Sequence, residues 1–142
     1  EYKNLLVIGD AHRQMNRFDN AVEYYLSAVA NDKSQSVGYE KLSLGYLNLK
    51  RIDLAKASLT KAILLNPDSS ATRYKLAIIN ESQNVIDEAT KLYFQAGELA
   101  IREKNNEAIY SSLTALERLS VGDYGETLYF ALLKRAEAYQ KK

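Results

Sequence analysis

Ser36 to Pro67 reads SVGYEKLSLGYLNLKRIDLAKASLTKAILLNP. Two amphipathic segments flank Lys50-Arg51-Ile52-Asp53, and their apolar residues recur at three and four rather than at two, the spacing of helices. Pro67 cannot continue a helix, so it ends the second segment and turns the chain. Slid by 34 residues in either direction, the stretch meets the same residue types again. Upstream, Leu5, Ile8 and His12 share one face, and Phe18, Ala21, Val22, Tyr25, Ala28 and Val29 share another. These faces predict helices over about 2–15 and 18–31, with Asn16-Arg17 as a tight connection.

With Tyr2 as place 1 of a 34-residue unit, the units run over about 2–35, 36–69 and 70–103. Places 8 and 20 are Gly9 and Ala21, then Ser43 and Ala55, then Ala77 and Ala89. Small residues there let the two helices of a pair press together, and place 27 (Ala28, Ala62, Ala96) is small where the second helix meets the next unit. A large side chain forced into such a contact costs about 1–3 kcal/mol. Places 7 and 24 are large and fill the space these contacts leave: Ile8, Leu42 and Leu76, then Tyr25, Leu59 and Tyr93. Asp19, Asp53 and Asp87 fall in the first turn of each second helix, where free N–H groups and the helix dipole favour a carboxylate.

In this pattern the chain resembles the tetratricopeptide repeat family, a 34-residue helix–turn–helix repeat. The resemblance covers residues 2 to about 102. His12 and Asn80 depart from it at place 11, where the family has Tyr, and Arg73 departs at place 4, suggesting a looser third unit. The resemblance implies an all-α fold, a right-handed superhelical solenoid of antiparallel helix pairs. Beyond Ile101 the register fails, since a fourth unit would put Glu107 and Asp123 at contact places. The helical period persists, with Ile109, Leu113 and Leu116 on one face after an Asn105-Asn106 cap, and Leu128, Leu132, Ala136 and Tyr139 aligned after Gly122-Asp123. We read a degenerate closing pair over about 106–140 that shields the last apolar edge of a single domain spanning 1–142.

Composition narrows the function. Nineteen basic and 18 acidic residues are interspersed to a net charge of +1, so there is no basic field for nucleic acid. An RNA-reading helical repeat is disfavoured on the same ground, because acidic residues interrupt the wall described below. The absence of cysteine excludes disulfides and thiolate metal sites and suits a reducing compartment such as the cytoplasm. The sole histidine, His12, reads as a packed residue rather than a metal ligand. No run approaches the roughly 20 apolar residues of a membrane span, and no secretory signal is recognisable. The first residue is Glu1 rather than Met, which suggests processing or excision from a longer protein. Asn80-Glu81-Ser82 matches a glycosylation acceptor, but mid-helix we take it as chance. No phosphate loop, paired catalytic carboxylates or nucleophile–base arrangement occurs, so neither an enzyme nor a cofactor is expected.

The resemblance also implies a concave wall built by the first helix of each pair, from places 2, 5, 6, 9, 12 and 13. Its candidate partner-binding residues are Leu6, Asp10 and Arg13, then Glu40, Lys41, Leu44, Leu47 and Asn48, then Tyr74, Lys75, Ile78 and Glu81. Leu6, Leu44, Leu47, Tyr74 and Ile78 lie off the packing places yet are large and apolar, and gathered on one surface they would mark a docking patch. A peptide or amphipathic helix of a protein partner would suit it, oriented by Glu40, Lys41 and Lys75. Family members that clamp a chaperone's C-terminal carboxylate carry basic and Asn residues where this chain has Leu6, Asp10, Lys41, Ala71 and Lys75. Only Lys75 keeps the required charge, so the clamp is absent. The second reading is structural: copies joined end to end, or a segment of a longer helical-repeat protein.

Overall fold

A computed structural model describes residues 1–120 and 122–142. Among them are eight α-helices and no strand. They fall into two compact units, Glu1–Pro67 and Asp68–Lys142. The first holds α1 (Tyr2–Gln14), α2 (Phe18–Asn31), α3 (Ser36–Asn48) and α4 (Ile52–Leu65). The second holds α5 (Ser70–Ser82), α6 (Ile86–Glu103), α7 (Asn106–Arg118) and α8 (Asp123–Gln140). The boundaries agree with the periodicity to within about two residues, the ordinary uncertainty of helix ends.

The turn inside a pair has one form. Asn16, Lys50 and Asn84, spaced by 34 residues, have φ near +60°. In each case the next N–H reaches back to the carbonyl five residues earlier: Arg17 to His12 at 2.9 Å, Arg51 to Tyr46 at 2.8 Å and Val85 to Asn80 at 2.8 Å. This closure satisfies the last carbonyls of the first helix and reverses the chain. Lys104 repeats it at the end of α6. Asp19, Asp53 and Asp87 open the second helices in their first turns, as expected.

In the first unit Ala21, Val22, Tyr25, Ala28, Val29 and Leu42 form the core. Its tightest points are glycines. A Cβ on Gly9 would lie 2.5 Å from the Tyr25 ring, and one on Gly45 would lie 2.7 Å from Val22. Between α1 and α3, the Tyr2 hydroxyl accepts the Gly38 N–H at 2.8 Å. Ile8 departs from expectation. Leu42 and Leu76, at the same place, are 3% and 9% exposed, whereas Ile8 is 40% exposed. Leu42 fills space against the preceding pair, and no such pair covers Ile8 among the described residues.

In the second unit Ala77, Ala89, Tyr93, Ala115, Leu116 and Leu132 form the core, and Leu132 fills the place where Gly97 lacks a side chain. Asn105 caps α7 by accepting the Ala108 N–H at 3.0 Å. Glu103, at the end of α6, accepts from the Ser70 N–H at 2.9 Å and its hydroxyl at 2.6 Å, tying the end of α6 to the start of α5. Arg135 of α8 pairs with Glu98 and stacks over Phe94.

Candidate functional site

The first-helix faces carry the candidate residues. On α5, Tyr74, Lys75, Ile78 and Glu81 line two clefts that share Tyr74. One, of about 240 Å³, has Ala71, Tyr74 and Lys75 on one side, Ala108 and Ser111 on the other, and Ala96 below. The second, of about 460 Å³, is bounded by Tyr74, Ile78, Glu81, Ser82, Tyr93 and Arg118. Tyr74 meets Tyr93 edge to face at 5.2 Å, a favoured aromatic geometry. The Tyr93 hydroxyl donates to Glu81 Oε2 at 2.6 Å, and Arg118 closes on the same carboxylate. Burial, with the Tyr74 phenol beside it, pushes the Tyr93 pKa up to about 12, so the phenol remains a donor at neutral pH. Ile78 is 46% exposed and leaves an apolar edge open to solvent.

On the α1–α3 face the residues gather around Asp10. Its carboxylate accepts from the Tyr25 hydroxyl at 2.6 Å and from Lys41 Nζ at 2.8 Å. Burial works against the Asp10 charge, but the bonds from Lys41 and Tyr25 outweigh it and hold its pKa below its ordinary value. The Tyr25 phenol is pushed up to about 12, by burial first and by its bond to Asp10 second. Arg13, Glu40, Leu44 and Leu47 are half-buried, and Asn48 is exposed. Leu6 does not stand where expected. It is 8% exposed and lies in the core with Val22 and Tyr25, so it offers little to a partner. His12 stacks on the Tyr24 ring at 5.2 Å. Asn80 is buried within α5, which puts its side chain out of a glycosylating enzyme's reach.

Sequence reasoning misses two kinds of contributor. Tyr25 and Tyr93 were assigned to packing alone, yet each also anchors a carboxylate; the signal was a Tyr at place 24 where the middle unit has Leu59. Arg118, Ala108 and Ser111 fell beyond the lost register, although α7 sets them beside α5.

A family model described as tetratricopeptide repeat matches residues 2–35 and 38–69. No curated protein matches the sequence significantly. Among solved structures, the chain resembles the first such domain of Spaghetti (RPAP3) bound to the HSP90 peptide SRMEEVD, with TM-score 0.71 and 20% identity over 84% of this chain and 94% of that one. It also resembles the TPR2B domain of yeast Sti1 in its pHsp70 complex, with TM-score 0.73 and 15% identity over 94% of this chain and 97% of the other. A third is the Yersinia enterocolitica type III secretion chaperone SycD in complex with a peptide of the translocator YopD, with TM-score 0.69 and 16% identity over 94% and 93%. The first two helix pairs are therefore tetratricopeptide repeats, and the chain as a whole has the tetratricopeptide fold.

Proposed function

We propose that this chain is a non-catalytic interaction module that holds a peptide or amphipathic helix of a protein partner on its first-helix faces. The observation that carries the reading is the pair of clefts sharing Tyr74, with Ile78 open to solvent at the edge of the second. Adjacent hollows that share an aromatic wall suit successive side chains of a bound segment. Peptide complexes of the similar RPAP3 and SycD domains support it by analogy. Asp10 sits where a carboxylate clamp needs a donor, and it already occupies Lys41, so a free C-terminal carboxylate is a poor ligand for the α1–α3 face. The balanced charge argues against nucleic acid, and the cysteine-free composition fits work in the cytoplasm. No helix among the described residues is long and apolar enough to cross a membrane.

Selection from a displayed library of random peptides, followed by titration of the winners, tests the reading. Ile78→Glu should weaken them at least about tenfold, as expected for a contact near the centre of an interface. Leu44→Glu with Leu47→Glu asks the same of α3. Unchanged affinity for both variants, with helicity retained, rejects the assignment.

A further inference from the structure

The smaller of the two clefts beside Tyr74 has a shape and a polarity that select among side chains. Three alanines make its space. Ala71 of α5 and Ala108 of α7 stand on opposite walls, and Ala96 of α6, 1% exposed, lies at the base. The Tyr74 ring completes the α5 wall, itself held edge to face on Tyr93.

Size limits the occupant first. An apolar cavity of about 150 Å³ admits a benzene ring, and this cleft measures about 240 Å³. An alanine or valine side chain would leave much of it empty, whereas an aromatic ring with a substituent fills it. Such a ring also gains from an offset or edge contact with Tyr74, beyond the area it buries. Charge limits the occupant next. Lys75 and Glu107 give the lining no net charge, which favours a neutral group over an acid or a base that would be buried at a cost.

Hydrogen bonding narrows the choice further. In the lining, Ser70 donates its hydroxyl to Glu103, and the Asn105 amide oxygen accepts the Ala108 N–H, so both are already committed. Ser112 of α7 also lines the cleft and is 1% exposed. A serine hydroxyl turns to suit and can either donate or accept. A purely hydrocarbon occupant would shut water away from it without a replacement, whereas a phenol hydroxyl supplies one.

We infer that this cleft takes a tyrosine side chain of the bound segment, with its ring against Tyr74 and its hydroxyl on Ser112. The inference rests on the reading of this face as a peptide site and adds the residue that anchors there. Ala71, Ala96 and Ala108 are then specificity-determining because they are small, and Ser112 because it tells tyrosine from phenylalanine.

Peptides selected from the displayed random library are the probes, and they should share a tyrosine. Titrated against the full chain, replacing that tyrosine by alanine should weaken binding at least about tenfold. Replacing it by phenylalanine should weaken binding roughly three- to tenfold, the share of one neutral hydrogen bond. Ser112→Ala should bring the tyrosine and phenylalanine peptides to one affinity and leave the alanine peptide weaker. Ala71→Leu, at an exposed position, should fill the cleft and erase the preference for a ring. Should either variant lose helicity, the wild-type chain supplies a second measurement: the methyl signals of Ala71, Ala96 and Ala108 should shift with the ring current of the tyrosine peptide and not with the alanine peptide. Selected peptides without a shared tyrosine overturn the inference. So do a tyrosine whose replacement costs the same in wild type, Ser112→Ala and Ala71→Leu, and alanine methyl signals that do not move. Peptides weakened by Ile78→Glu yet indifferent to Ala71→Leu remove the tyrosine anchor and leave the peptide-binding face standing, whereas a library without binders removes both.

Discussion

The two units solve one problem in different ways. Each places a buried tyrosine at the same point of its second helix and ties the hydroxyl to a carboxylate that also pairs with a cation from the following first helix. In the first unit the set is Tyr25, Asp10 and Lys41; in the second it is Tyr93, Glu81 and Arg118. The carboxylates differ in place, at 9 and at 12. So does the small residue at the helix contact. Gly9 lies under the Tyr25 ring, too close for a Cβ, whereas Ala77 shares a core with Tyr93. A side chain at place 8 thus goes with a hydroxyl tied to an acid farther along the helix, and its absence with one tied to the acid beside it. The lesson is that the family's places fix where bulk goes, while the polar partner is chosen locally.

The largest test of this difference is at the small residue. Gly9→Ala should push Tyr25 off Asp10 and destabilise by about 1–3 kcal/mol, the usual cost of overpacking. Ala77→Gly should lose only about 1 kcal/mol, from helix propensity. Chemical denaturation of both variants measures the gap, and equal losses would mean that the tyrosines sit alike.

Titration sharpens it next. Asp10 has a lowered pKa, so its contribution is fully present above the ordinary value of 3.8 and is lost as pH falls through the lower folded value. Asp10→Asn should flatten that acid limb of the melting curve. The phenols of Tyr25 and Tyr93 are raised from 10.0 to about 12, so their contribution holds below pH 10 and is lost as pH rises through that range. Tyr25→Phe should remove one share of the alkaline loss and Tyr93→Phe the other; a profile unmoved by either would detach the phenols from folding.

The smallest effect concerns the cations. The Arg118 side chain is about half exposed, whereas Lys41 and Asp10 are each mostly covered. Arg118→Ala should therefore cost well under about 1 kcal/mol, in the range of surface ion pairs, and Lys41→Ala more. Thermal melts in low and high salt separate the two, since the exposed pair is screened first.

The helices, their pairing and the small contact places were legible because each is written in residue size at a fixed spacing. Pair contacts at Ala21, Ala55 and Ala89 need no knowledge of the rest of the chain. What escaped was whatever depends on a neighbour the pattern does not name. Leu6 has the place of a wall residue but turns into the core, and Ile8 has a core place but lacks the pair that would cover it. The clefts beside Tyr74 need α7, whose residues had left the 34-residue register, so their contribution was hidden although the helix itself was not.

The left-handed residue in each turn limits how such a chain can lengthen. An extra residue between Asn16 and Phe18 would rotate α2 by about 100° about its own axis, swinging Ala21 and Tyr25 toward water. Inside a pair, then, insertions are barred by geometry at Asn16, Lys50 and Asn84. Growth or decoration is confined to the joints around 32–35 and 66–69, which hold no left-handed residue, whereas the 104–105 joint repeats the closure at Lys104.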